Sequence, residues 1–102
     1  MIKEGGIYRN DDDQFSRFAI VIKISKQMIF GVRLAVTQDI ISNKQVNDLL
    51  LRKLDLYGGN SFWKMKEDKF EENVNGYIGQ IREEMLDILQ EKLKTSDKYV
   101  RK

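Results

Sequence analysis

Arg17 stands at the head of an apolar run, RFAIVIKIS, and Thr37 follows directly after a second one, MIFGVRLAV. If the two runs form an antiparallel hairpin, the head of one lies beside the end of the other, so the two side chains are expected at one rim of a sheet. A guanidinium and a hydroxyl converging there can hold a phosphodiester. The cation counters charge that grows on the phosphorane, and the hydroxyl donates a hydrogen bond. With no imidazole in the chain, the arginine would also have to assist proton transfer. The same positions equally suit a solvent-facing strand-end arginine and a threonine that caps or turns the chain, and spacing alone leaves both readings open.

Little else competes for a chemical role. The 102 residues include no Cys and no His, which removes disulfides, thiol nucleophiles, zinc clusters, imidazole bases and serine triads together. Neither Gly5-Gly6 nor Gly58-Gly59 continues into a phosphate-loop or dinucleotide-binding pattern. The run Asp11-Asp12-Asp13 reads as a solvated loop, because adjacent carboxylates do not converge on a cation without further spaced oxygens. Glu71-Glu72 and Glu83-Glu84 are sequence neighbours rather than a facing acid and base, so glycosidase chemistry is not indicated.

Charge gives no polybasic domain. There are 18 Lys and Arg against 16 Asp and Glu, a net +2, with 41% hydrophobic residues, as expected of one small soluble domain with a thin core. The basic maximum is the tail, where Lys92, Lys94, Lys98, Arg101 and Lys102 face only Asp97, a pattern of weak phosphate attraction or simply of a solvated terminus. The opening MIKEGGIYRNDDD lacks an apolar run of signal length, no stretch is long enough for a membrane span, and the absence of cysteine is compatible with a cytoplasmic setting.

The elements that must position these residues follow from periodicity. Gly5-Gly6-Ile7-Tyr8 reads as a turn opening a short strand, RFAIVIKIS as a buried strand, and Ser25-Lys26-Gln27 as the link to a second strand over residues 28–36, in which Val32, Leu34 and Val36 alternate with Arg33, Ala35 and Thr37. Ser42 is placed to cap a helix over residues 43–54, with Val46, Leu49, Leu50 and Leu54 on one face. A glycine-bearing loop over residues 55–61 leads to a strand at residues 62–66, then a charged link through Asn73 and a short extended piece near Tyr77-Ile78. Residues 81–94 form an amphipathic helix with Ile81, Met85, Ile88, Leu89 and Lys92 on one side. The expected class is α+β: a small curled antiparallel sheet with an inserted helix and a C-terminal amphipathic helix packed on it, over residues 1–94, followed by a basic tail at 95–102.

In this order of pieces the chain resembles the MazF/PemK family of toxin endoribonucleases, which are small SH3-like antiparallel β-barrels with a C-terminal helix. The family's N-terminal Gly-Asp-(Ile/Val)-(Tyr/Trp) is similar to Gly5-Gly6-Ile7-Tyr8, and its Arg-Pro, one variable residue and three aliphatic residues are similar to Arg17-Phe18-Ala19-Ile20-Val21-Ile22. Its late strand resembles residues 61–70, and its Ile-Gly-x-(Leu/Ile) entry into a final helix resembles Ile78-Gly79-Gln80-Ile81. Phe18 stands where the family has proline, Gly6 where it has aspartate, and Ser61-Phe62-Trp63 where it has Gln-Ile-Arg. The resemblance implies metal-independent cleavage of single-stranded RNA without a cofactor, by attack of the neighbouring 2′-hydroxyl, with Arg17 and Thr37 as the catalytic pair. It also implies Arg9, Ser16, Trp63 and Lys64 as substrate contacts, Trp63 by stacking an unpaired base and the cations on backbone phosphates. Trp63 equally suits core filling. Homodimerisation and inhibition by an antitoxin come with the family as well.

Two other classes remain open at this point. A non-catalytic SH3-like interaction module of a phage or mobile element, binding a protein or nucleic acid, needs no special residues, and the missing proline and Gln-Ile-Arg triplet suit it. A nucleic-acid-binding regulator using the residue 42–54 helix and the basic tail is the third, opposed by the near-neutral charge.

Overall fold

The computed structural model describes residues 2–10, 16–36, 42–58 and 60–96. The elements run β1 (Gly6–Arg9), β2 (Ser16–Ser25), β3 (Met28–Val36), α1 (Asn43–Lys53) with a 3-10 turn at Leu54–Leu56, β4 (Trp63–Lys66), α2 (Glu67–Asn73), β5 (Gly76–Gln80) and α3 (Glu83–Lys94). The strands form one sheet in the order β4-β3-β2-β1-β5, and every neighbouring pair is antiparallel. The class is therefore α+β, as expected, with the inserted helix and the terminal helix both present. The sheet is open, with β4 and β5 as its two edges, and does not close into a barrel.

β2 is central and buried on both sides, which is why its sequence is almost continuously apolar. Phe18, Ile20 and Ile22 join the larger core under α1 and α3, whereas Ala19 and Val21 join a smaller core on the opposite face. A bulge lies between the Val21–Gly31 and Lys23–Phe30 pairs, so the alternation shifts and Ile24 packs with the smaller core. Beyond Val21 the backbone of β2 finds side-chain partners: the Ile22 carbonyl accepts from Gln90 Nε2 at 2.8 Å, and the Ile24 N–H donates to the Glu4 carboxylate at 2.8 Å. These contacts satisfy polar groups that would otherwise be stranded beside a core.

The two turns are built differently. Gly5 adopts φ +81, a conformation open to glycine, and donates its N–H to the Val21 carbonyl at 2.7 Å. Lys26 and Gln27 connect β2 to β3 with φ of 53 and 67, the double left-handed pair that matches a two-residue hairpin to the strand twist.

The larger core is closed by helices whose apolar residues recur every third or fourth position. α1 starts at a capping box: Ser42 Oγ accepts from the Gln45 N–H at 3.1 Å, and the Ser42 N–H donates to Gln45 Oε1 at 3.1 Å. It buries Val46 and Leu50, with Leu54 just beyond, while α3 buries Met85, Leu89 and Leu93, each worth about 1.5–3 kcal/mol relative to exposure. The buried Asn47 joins α1 to the β5–α3 junction, donating to the Gln80 carbonyl at 3.0 Å and accepting from the Arg82 N–H at 2.8 Å. Lys92 lies partly buried, donating from Nζ to the carbonyls of Leu54 and Tyr57 at 3.0 and 2.8 Å. After α3, Thr95 and Ser96 continue with hydrogen bonds back to Lys92 and Leu93, and Ser96 is fully buried.

Two expectations are corrected. The charged segment after β4 is the helix α2 rather than a link. Its single buried side chain is Phe70, so it carries no apolar period, yet Glu67 and Asp68 favour its N-terminus and the Asn73 amide donates to the Lys69 carbonyl at 2.8 Å. Ile88, assigned to the apolar side of α3, is 43% exposed, because that stripe runs through Met85, Leu89 and Leu93 instead. No helix among the described residues is long and apolar enough to cross a membrane.

Met85, only 1% exposed, should tolerate charge badly, and Ile88 should not. Met85→Asp is expected to lower unfolding free energy by about 3 kcal/mol or more, whereas Ile88→Asp should cost under about 1 kcal/mol. Urea denaturation of the two variants checks this, and equal losses would refute the outward placement of Ile88.

Candidate nucleic-acid interface

The face of the sheet opposite α1 and α3 divides into a half covered by α2 and a half that no other described element covers. α2 covers one half through Phe70, whose ring meets Tyr8 edge-on at 5.4 Å and stacks with Trp63 at 5.6 Å and 22°. The indole lies flat against Gly31, where a Cβ would come within 2.6 Å of the ring and 2.5 Å of the Ile20 carbonyl, so only glycine admits it. The Trp63 Nε1 is buried and has no hydrogen-bond partner among the described residues. The Tyr8 hydroxyl oxygen accepts from the Lys3 N–H at 3.0 Å, and the Tyr8 phenol pKa is raised, chiefly by burial.

The other half carries two arginines beside the exposed Ala35, with Ala19 buried at the edge of the smaller core. The register pairs Arg17 with Ala35 and Ala19 with Arg33, so the two arginines sit diagonally across neighbouring strands on the same face. Such diagonal positions are about 7–8 Å apart, within the joint reach of two long side chains. Arg17 is half-buried with its Nε enclosed, and Arg33 and Ala35 are exposed. Behind Arg33, the Tyr57 hydroxyl donates to the Arg33 carbonyl at 3.0 Å, which ties the strand to the loop after α1. Burial pushes the Tyr57 phenol pKa up to about 12.

The candidates chosen from sequence are distributed unevenly over this geometry. Arg17 is at the rim where β2 begins and β3 ends, with Ser16 opposite Val36 and Arg17 opposite Ala35. Thr37 lies outside the described residues, as do the Asp11–Asp13 run and the tail from residue 97. Ser16 is placed by its backbone pairing at the same rim. Trp63 shares the face of Arg17 but is paired with Gly31, opposite Val21, four residues along β2 from Arg17, or about 13 Å. Lys64 is opposite Phe30 and so belongs to the other face, since adjacent strand residues alternate. Arg9 also belongs to the other face, its guanidinium 5.7 Å from the centre of the Phe18 ring. The structure thus gathers Arg17 and Trp63 on one side and sends Arg9 and Lys64 to the reverse.

Arg33 was not among the candidates. Its signal was the alternation in MIFGVRLAV, which puts Arg33 and Ala35 on one face, combined with the hairpin register that lays Arg17 against that face. A separate groove of about 530 Å³ lies at the far end of the hairpin, lined by Lys26, Lys66, Glu67, Asp68 and Glu71 among others. Its mixed charge with an acidic majority is unsuited to a polyanion. Comparison with known proteins adds nothing to this picture: no family model matches the chain, and neither a curated protein nor a solved structure matches it.

Two outcomes follow, one for each side of the sheet. Trp63 is the sole tryptophan, so its fluorescence reports the Phe70 stack directly. Phe70→Ala should red-shift the emission, raise acrylamide quenching and cost about 3 kcal/mol of stability. The Tyr57 phenol, with its pKa raised in the fold, contributes stability that is complete below the unfolded value near 10 and is lost as pH rises towards 12. Alkaline titration followed by phenolate absorbance should therefore show a late tyrosine step that Tyr57→Phe removes.

Proposed function

We propose that the chain is an endoribonuclease of the MazF/PemK kind that cuts single-stranded RNA without a metal ion. The observation that supports it best is the position of Arg17, half-buried at the rim where β2 starts beside the end of β3, on a sheet face left open by the described residues. In this reading the phosphodiester lies over the exposed Ala35, which is paired with Arg17. The 2′-hydroxyl of the preceding nucleotide gives its proton to solvent water and attacks phosphorus, the bond to the 5′-oxygen breaks, that oxygen takes up a proton, and the products are a cyclic phosphate and a 5′-hydroxyl. Arg17 counters the charge of the phosphorane and assists protonation of the leaving oxygen. Thr37 enters from the sequence as hydrogen-bond donor to the same phosphate. The open five-stranded sheet is read as an opened form of the family's SH3-like barrel, and a homodimer and an antitoxin that covers this face belong to the same proposal.

A second reading is favoured by a specific observation: Trp63 is stacked under Phe70 rather than presented for a base, and Arg9 and Lys64 belong to the reverse face. That arrangement suits an interaction module which binds through the sheet without cleaving.

Cleavage of mixed-sequence RNA in chelator separates the two. Purified protein should cut, and Arg17→Ala should lower the rate by about a hundredfold or more while the thermal transition is kept. Wild-type protein that leaves RNA intact, and whose expression does not slow growth, would give the interaction module the better claim.

A further inference from the structure

We propose that Arg33 is a second phosphate-binding residue, which grips the strand of RNA one position away from the phosphate held by Arg17. The inference rests on the RNA-binding part of the reading above and extends it to a residue that neither the sequence motifs nor the family alignment selects. Four observations carry it. Arg33 is exposed on the same face as Arg17, on the neighbouring strand and diagonal to it. Its guanidinium makes no ion pair with any described residue, whereas Lys44, Lys69, Arg82 and Lys94 each meet a carboxylate. The residues facing the two arginines are Ala19 and Ala35, so no side chain bulkier than a methyl stands between the guanidinium groups on these two strands. The Arg33 backbone is held by the Tyr57 hydroxyl, and the adjacent Val32 and Leu34 are anchored in the larger core.

A single exposed arginine on a protein of net charge +2 would attract RNA weakly. Two on a rigid hairpin act as a pair with fixed separation, and a fork of donors on each can meet successive phosphates along a backbone. The line from Arg17 to Arg33 runs diagonally across β2 and β3, heading from the rim towards Trp63 over Gly31. That direction sets a path for the strand: the phosphate under attack at the rim and the next over Arg33. Arg33 is a binding residue in this scheme and takes no part in bond breaking. Its removal should raise KM and leave kcat in place.

The test uses a fluorescein-labelled single-stranded 2′-O-methyl oligoribonucleotide, which lacks the attacking hydroxyl and so reports binding without cleavage. Titrations at several salt concentrations are made with the whole chain, with Arg33→Ala, with Arg33→Lys, and with Arg52→Ala as a charge-matched control on the reverse side. Arg33→Ala is expected to weaken binding about tenfold and to flatten the salt dependence by about 0.7 in log–log slope, the loss of one single-strand phosphate contact. Arg33→Lys should restore the slope, and Arg52→Ala should match wild type. All four proteins should melt alike, because the substituted side chains are exposed.

If wild type and Arg33→Ala bind the probe equally, or if neither binds it, the inference is overturned. An equal loss in Arg52→Ala overturns it as well, since that is an effect of net charge. Cleavage of ordinary RNA by the same preparations judges the other reading separately. A protein that cuts RNA with an unchanged KM in Arg33→Ala keeps the nuclease and loses this site. A protein that binds through Arg33 and never cuts keeps the site and loses the nuclease.

Discussion

The Asn47 carboxamide holds together the parts of the fold that most need holding. It is buried between α1 and the β5–α3 junction, with its amide nitrogen donating to the Asn43 and Gln80 carbonyls and its oxygen accepting from the Arg82 N–H. Only a side chain with a donor and an acceptor on one planar group meets all of these demands. Leucine would strand a carbonyl and an N–H against a core, at about 1–3 kcal/mol for each group, and aspartate would face the carbonyls with no donor. From this junction β5 extends along β1, and α3 is sent back over the apolar side of β2. The contacts of α3 with the larger core, through Met85, Leu89 and Leu93, depend on that second direction.

Once that side is closed, the sheet can leave part of its other side open. β2 supplies both cores because it is buried twice over, and the alternation of its first half sorts Phe18, Ile20 and Ile22 from Arg17, Ala19 and Val21. The same alternation in β3 brings Arg33 and Ala35 to lie beside them. A charged residue can occupy the middle of a strand here only because its neighbours along the chain are already anchored on the opposite side. Among the described residues no apolar side chain covers Arg33 and Ala35, while Phe70 covers the half that contains Trp63 and Tyr8.

Strong periods were legible and isolated contacts were not. The three N-terminal strands, the capped α1 and the apolar side of α3 could be read because each repeats a pattern several times, and β2–β3 pairing followed from the short polar link between them. α2 escaped because one phenylalanine in seven residues makes no period. Ile88 was misplaced because a helical stripe allows neighbours at three or four residues, and only the sheet beneath chooses between them. The rim position of Arg17 was legible from strand order alone. The separation of Trp63 from Lys64 and of Arg17 from Arg9 needed the faces to be assigned, which requires knowing the register of β4 and of β1. Arg33 was visible as a member of an alternating strand but acquired meaning only beside its diagonal neighbour.

The position of β1 between β2 and β5 has a consequence for how the molecule comes into being. β2 is β1's neighbour in sequence as well as in space, but Gly6 lies beside Gln80, so one side of β1 waits for almost the whole described chain to be made. During synthesis the first three strands can pair early, while their apolar side, with Phe18, Ile20, Ile22, Val32 and Leu34, has only α1 to cover part of it until residues 83–94 exist to cover the rest. Closing so large a loop is slow compared with forming a hairpin. In that interval the molecule is a half-covered sheet with a vacant strand edge, the kind of species that sticks to its own copies or is held by a chaperone. The terminal helix therefore decides when the nascent chain stops being a hazard, a timing role that is invisible in the finished fold.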